Sequence, residues 1–185
     1  MQGLLITRFD REVAPDGTVR RFAMGDGAQV LGVLPAQKYA LSSEEVTRAL
    51  AAQTSAPRIA ARALYLQFLF AWLTGNGDLH AKNLAVLQEP SGRWGLSPIY
   101  DIPSTVVYRD MTMALTIDGR DRRLHRRHWD AFAAAIALPA RAASSAIDLA
   151  LRASAGIDLS ALGFTGSLLY GAERELRMRR TVLEL

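Results

Sequence analysis

Apolar positions crowd most densely between Ala63 and Leu73, an eleven-residue run interrupted only by Gln67. A bilayer-spanning helix needs about 20 apolar residues, so this run reads as a buried helix. Pro57 suits the first turn of that helix, and Ile59, Leu64, Phe68, Leu69 and Trp72 continue an apolar stripe along it. Other apolar residues fill the gaps, which predicts a helix buried nearly all round at the centre of the fold. Gly75-Asn76-Gly77 ends it, and a polar loop follows to Asn83.

Shorter patterns frame this centre. The run Gly3-Leu4-Leu5-Ile6-Thr7-Arg8-Phe9-Asp10 predicts a strand that ends at a polar turn. Val13 to Met24, with Pro15-Asp16-Gly17-Thr18 in its middle, predicts a hairpin. Ser42 or Ser43 caps a helix through Leu50, with Glu44 and Glu45 placed favourably in its first turn. Leu84 to Leu87 and Trp94 to Ile99 predict two strands about a turn at Glu89 to Gly92, and Met111 to Ile117 alternates weakly. Helices are expected over His128 to Ala153, interrupted at Pro139, and over Leu168 to Val182. The class is α+β and mostly α-helical. No repeat or low-complexity linker marks an internal domain boundary.

Composition narrows the setting. With 185 residues, 50% hydrophobic and 22% charged, the chain has room for one sizeable core and is too apolar for intrinsic disorder. It has no cysteine, which removes disulfides, thiolate metal sites and a cysteine nucleophile. No charged-then-apolar leader opens it, so a cytoplasmic, non-membrane protein is expected. The net charge of +4 permits contact with nucleic acid without requiring it. Of the 22 basic residues only Lys38 and Lys82 are lysines, and the arginines are densest over 120–127 and 174–180. His125 and His128 share a helical face, but the surrounding arginines would repel a cation, so a metal site there is disfavoured. Ser42, Ser104 and Ser144 lack the partners of a hydrolase triad.

The candidate chemistry lies in Gly77-Asp78-Leu79-His80-Ala81-Lys82-Asn83 and Ser97-Pro98-Ile99-Tyr100-Asp101-Ile102. Kinase catalytic loops carry an aspartate that orients the acceptor hydroxyl, an asparagine five residues later that binds Mg²⁺, and a metal-binding aspartate further on. Asp78, Asn83 and Asp101 have that order and spacing. Phosphoryl transfer concentrates negative charge, so it calls for hard oxygen ligands to a divalent cation and one carboxylate facing the attacking hydroxyl. Lys82 would neutralise charge on the moving phosphoryl group, and His80 would donate to a phosphate or brace the loop.

These two motifs, close to D-x-H-x-K-N and P-x-Y-D, resemble the HipA family of bacterial serine/threonine kinases, which includes toxins of type II toxin–antitoxin pairs. Leu5 to Arg11 resembles the family's hinge, Asp26 to Gly32 with Gln37-Lys38-Tyr39 the segment after it, and Met111 to Leu115 the strand after the metal aspartate. The resemblance runs in order over nearly the whole chain and is strongest through residue 117. It implies one HipA-like C-terminal kinase domain over 1–185: a hinge segment (1–10), a post-hinge segment (11–56), a catalytic and metal-binding core (57–117) and a helical C-terminal part (118–185). It further implies Asp78 as catalytic base, Asn83 and Asp101 as Mg²⁺ ligands, and Thr7, Arg8 and Phe9 as the hinge that meets the adenine of ATP. His80, Lys82 and Tyr100 would line the nucleotide phosphates. Thr7 stands where the family often has an acidic residue, which puts only side-chain contacts there in question.

A complete kinase also needs a small lobe with a phosphate-covering loop and a lysine for the α/β-phosphates. Seven residues before Arg8 are too few for it, and Gly25 to Gly32 with Lys38 has the wrong spacing for a substitute. The expectation is therefore a protein-kinase-like large lobe without its small N-lobe, weak in ATP binding and transfer when alone. Its expected partners are a protein substrate, a separate N-lobe subunit and a helix-turn-helix antitoxin, with DNA reached only through the antitoxin. The rivals are an aminoglycoside/choline-type small-molecule phosphotransferase, which usually has histidine where Asn76 stands, and a non-catalytic toxin–antitoxin subunit.

Overall fold

The turn at Pro15-Asp16-Gly17-Thr18 is closed by Asp16, whose carboxylate accepts from the Thr18 backbone N–H (2.9 Å) and hydroxyl (2.7 Å). In the computed structural model, which describes residues 6–184, it joins β1 (Arg11–Val13) to β2 (Val19–Arg21) in an antiparallel hairpin. β3 (Met24–Asp26) follows and leads into a single helical turn, α1 (Gly27–Val30), capped by Asp26. The chain continues through α2 (Ser43–Gln53) and α3 (Pro57–Thr74) to a second hairpin, β4 (Ala85–Gln88) and β5 (Trp94–Leu96). Three helices close the fold: α4 (Arg126–Ala135), α5 (Ala140–Ala153) and α6 (Gly166–Glu184).

Each helix start follows from local chemistry. The Ser42 hydroxyl accepts from Glu45 N–H (3.2 Å) while the Glu45 carboxylate accepts from Ser42 N–H (2.8 Å), a reciprocal cap on α2. α3 begins at Pro57 and ends at Gly75 in the left-handed conformation (φ 71°), where an added Cβ would lie 2.6 Å from Val106 Cγ1. Leu64, Tyr65, Phe68, Leu69 and Trp72 are buried, and α3 packs on α2, α5 and α6. Ile59 is the exception: it is 73% exposed, while the next residue, Ala60, is buried. Tyr65, Trp129 and Phe132 stack where α4 meets α3.

Several strands differ from expectation. Residues 6–10 form no strand, and Leu4 and Leu5 lie outside the described residues. β5 stops at Leu96 rather than Ile99, since Pro98 cannot extend the ladder. The 111–117 segment makes only isolated bridges, Ser42 with Thr116 and Ile117 with Arg120, so its apolar residues are buried by irregular chain. β3, unrecognised in the sequence, pairs with β4 to give a sheet of order β3-β4-β5. Among the described residues no helix is long and apolar enough to cross a membrane.

His128 is buried, and its Nδ1 accepts from His125 N–H at 2.8 Å to cap α4. Among the described residues no cluster of three metal-ligating His, Asp or Glu side chains occurs, there or elsewhere. Burial first, then the charges of Arg127 and Arg120, hold the His128 pKa below the ordinary value. His80 is lowered too, by burial and then by Lys38. An unfolded histidine takes up a proton near pH 6.5, and these two folded histidines resist it. Their contribution to stability is therefore complete above about pH 6.5 and is lost as pH falls toward the folded values. The unfolding midpoint should fall between about pH 7 and 5, above the carboxylate range, and His128→Gln should flatten that fall. A midpoint flat across this window would contradict the assignment.

Candidate functional site

The loop from Gly75 to Asn83 is fixed before any of its side chains face solvent. The Ser104 hydroxyl donates to Thr74 O (3.0 Å), Thr105 N–H donates to Gly75 O (2.8 Å), and Thr105 Oγ1 accepts from Gly77 N–H (2.9 Å). This latch approaches so closely that a Cβ on Gly77 would lie 2.5 Å from Thr105 Oγ1 and 2.8 Å from Thr112 O. Within the loop, buried Asn76 accepts from Asp78 N–H (2.9 Å), and the Asp78 carbonyl accepts from His80 N–H (2.8 Å) and the Asn83 amide nitrogen (3.0 Å). With its nitrogen committed inward, the planar Asn83 amide directs Oδ1 away from that carbonyl.

Asp78 keeps 40% of its side chain exposed, and its Oδ1 accepts from the Tyr39 hydroxyl at 2.8 Å. His80 lies beneath, 5% exposed, with Nε2 at 2.7 Å from Lys38 Nζ. His80 Nε2 is also 3.9 Å from Asp78 Oδ1, but an Nε2 that accepts from the Lys38 ammonium carries no proton of its own, so this approach is not an ion pair. The Tyr39 ring meets His80 edge-on at 5.2 Å, and Lys38 Nζ sits 4.8 Å from the Tyr39 ring centroid.

The second motif is tied to the first by Tyr100, whose hydroxyl donates to Lys82 O (2.7 Å). Burial, followed by the charges of Asp26 and Asp101, pushes the Tyr100 hydroxyl up to about 12. Asp101 follows, exposed and with a left-handed backbone (φ 54°). The Tyr100 ring also packs 5.7 Å from Phe9. Together 6–10, Met24 and 100–103 line a cavity of about 590 Å³, within the range of small-molecule sites. The Arg8 guanidinium is spent on Asp10 (2.8 and 2.6 Å), which holds the Asp10 carboxyl well below its usual range and leaves backbone and apolar groups to face the cavity.

The structure thus gathers Thr7, Arg8, Phe9, Tyr100 and Asp101 at one cavity, and Asp78, His80 and Asn83 on the adjoining loop. Lys82 is exposed beside them. Two expectations change in detail: His80 is buried with Nε2 occupied, and the Tyr100 hydroxyl braces the loop backbone. Lys38 and Tyr39, not foreseen as site residues, come in from the 3₁₀ turn Pro35–Gln37 that precedes α2. The available signal was lysine scarcity, since both lysines of the chain lie at this loop.

The sequence model of the HipA-like C-terminal domain matches residues 1–156. Two Sinorhizobium fredii proteins whose names assign them provisionally to kinases are similar. Y4mE is 33% identical over 123 residues, 63% of this chain and 29% of Y4mE. Y4dM is 38% identical over 108 residues, 58% of this chain and 25% of Y4dM. The serine/threonine-protein kinase toxin HipA of Shewanella oneidensis is 33% identical over 135 residues, 63% of this chain and 31% of that protein. A structure of the Shewanella oneidensis HipA–HipB–operator DNA complex shares the fold (TM-score 0.73, 24% identity) over 96% of this chain and 50% of the matched chain. The chain therefore spans under a third of those curated relatives and half of that solved chain.

Proposed function

Because the chain belongs to the HipA-like C-terminal domain family, we propose that it supplies the catalytic and metal-binding half of a HipA-type serine/threonine protein kinase. The observation that carries this reading is the loop itself: Asp78 is presented to solvent while its carbonyl anchors Asn83, and Tyr100, the residue before Asp101, is bonded to the loop at Lys82 O. In this reading Asp78 accepts the proton of a protein seryl or threonyl hydroxyl as that oxygen attacks the γ-phosphorus of ATP, whose bond to the β–γ bridging oxygen breaks to release ADP. Lys82 faces the developing charge, and the cavity at Phe9 and Tyr100 takes the adenine end through backbone groups.

Asn83 Oδ1 and the Asp101 carboxylate are the oxygens that would hold Mg²⁺. A set of one amide and one carboxylate, among described residues that hold no cluster of three His, Asp or Glu side chains, suits an ion completed by nucleotide phosphates rather than an all-protein cage. When bound, the ion would neutralise charge on the β- and γ-phosphate oxygens.

Ile6, Met24 and Ile102 line this cavity and are exposed, as a surface that receives a small lobe would be. The Shewanella structure holds HipA together with HipB and operator DNA, which supports an antitoxin partner for this chain; a cytoplasmic setting, with DNA reached only through that partner, is part of the proposal. The test is Mg²⁺-dependent transfer from ATP to protein by the 185-residue chain, with and without an added small lobe. We expect transfer only on complementation. Robust transfer by the chain alone would refute the need for a second lobe, and absence of transfer on complementation would refute the kinase reading.

A further inference from the structure

The segment before α2 grips the candidate loop at every level. Lys38 O accepts from Ala81 N–H (3.3 Å), Lys38 Nζ meets His80 Nε2, and the Tyr39 hydroxyl meets Asp78 Oδ1. An ammonium group only donates, so His80 Nε2 must be the acceptor, and a neutral His80 then carries its proton on Nδ1. That Nδ1 is buried and has no partner among the described residues. Nothing else in the loop selects this tautomer, so Lys38 has to impose it. At Asp78 both approaches, from Tyr39 and from His80, fall on Oδ1.

We propose that Lys38 and Tyr39 form a positioning clamp on the loop, Lys38 holding His80 as its Nδ1–H tautomer and Tyr39 holding the Asp78 carboxylate by Oδ1 so that Oδ2 faces the acceptor hydroxyl. The clamp rests on the kinase reading for its purpose but not for its geometry. With Nε2 occupied, His80 does not donate to a phosphate through that atom; it is a post that Tyr39 meets edge-on and Lys38 hydrogen-bonds. The free ammonium protons of Lys38 then add a second cation beside Lys82. A carboxylate held by one oxygen keeps a single rotamer, and errors of about 1 Å at such a group cost about 100-fold in rate.

Two spectroscopic measurements on the full chain decide the geometry without activity. ¹⁵N NMR of the histidines should give His80 as Nδ1–H in the wild type. Lys38→Met should shift it to Nε2–H, and Lys38→Arg, which retains a donor, should restore the wild-type pattern. With 3-fluorotyrosine in place of the five tyrosines, Tyr39→Phe identifies the residue-39 ¹⁹F resonance, and Asp78→Ala should move it. An Nε2–H His80 in the wild type, or a residue-39 resonance indifferent to Asp78→Ala, overturns the clamp. In the active enzyme, Tyr39→Phe should lower kcat by about 10- to 100-fold with the KM for ATP unchanged. If Asp78→Asn abolishes transfer while Tyr39→Phe leaves kcat intact, the clamp fails and the kinase reading survives. If the spectra behave as expected and no preparation transfers phosphate, the kinase reading fails and the contacts remain.

Discussion

Asp78→Asn should reduce phosphoryl transfer by about 10²- to 10⁴-fold, the range expected for loss of a general base, while leaving the unfolding midpoint unchanged. The fold does not depend on this carboxylate. Asp78 is built into the loop by its backbone: its N–H donates to Asn76 Oδ1, and its carbonyl accepts from Asn83 and from His80 N–H. The one side-chain hydrogen bond, from Tyr39, can be accepted equally by an amide oxygen. The substitution is isosteric and half-exposed, so it removes charge and basicity and little else. It is to be measured in whichever form transfers phosphate, the chain alone or complemented. Undiminished transfer would remove Asp78 from the mechanism. Asn83→Ala is a poorer probe, because it also strips a hydrogen bond from the Asp78 carbonyl.

The parts of the fold legible in the sequence were those fixed by local chemistry. Pro57 and Gly75 bracket α3, Ser42 and Glu45 cap α2, and Pro15-Asp16-Gly17-Thr18 makes the first turn; each acts within a few residues of itself. The missed elements depend on distant partners. Met24-Gly25-Asp26 has no apolar alternation and is a strand only because β4 offers it a ladder. Conversely, 111–117 has some alternation but only isolated bridges, so Met113, Leu115 and Ile117 are buried without a continuous ladder.

The same division runs through the site. The spacing of Asp78, Asn83 and Asp101 could be read directly, because a catalytic loop and its following hairpin are contiguous in sequence. Tyr39 lies 39 residues before Asp78 and reaches it only after α2 and α3 have folded the chain back. Ser104 and Thr105 directly follow the second motif in the sequence. Their part as the latch under Gly75 and Gly77 depends on a close approach that only the three-dimensional arrangement supplies.

Arg179 is the clearest case of a residue whose importance is invisible in one dimension, and its replacement should produce the largest loss of stability in the chain. In the sequence it is one arginine in a basic stretch near the C-terminus. In α6 its side chain is 1% exposed: Nη1 donates to Trp72 O (2.9 Å), Nη2 to Met111 O (2.8 Å) and Nε to the Glu175 carboxylate (2.8 Å). The guanidinium lies 3.8 Å from the Trp72 ring centroid. Arg179→Ala would orphan the Met111 carbonyl, leave Trp72 O with only the long 3.4 Å bond from Gly75 N–H, strip Glu175 (19% exposed) of its counter-ion and open a void against Trp72. Removing one member of a buried pair costs about 3–5 kcal/mol. Arg179→Lys keeps the charge but has no planar fork to span two carbonyls and a carboxylate, so it should recover only part of the loss. Urea unfolding should show a lower midpoint at constant slope for both variants. Since Trp72 O lies at the end of α3 and Met111 just precedes Thr112, whose carbonyl abuts Gly77, the alanine variant should also loosen the Asp78 loop and reduce transfer at temperatures where the chain remains folded. A stability loss below about 1 kcal/mol for Arg179→Ala would mean that water replaces the guanidinium at little penalty, and that α6 does not brace the loop.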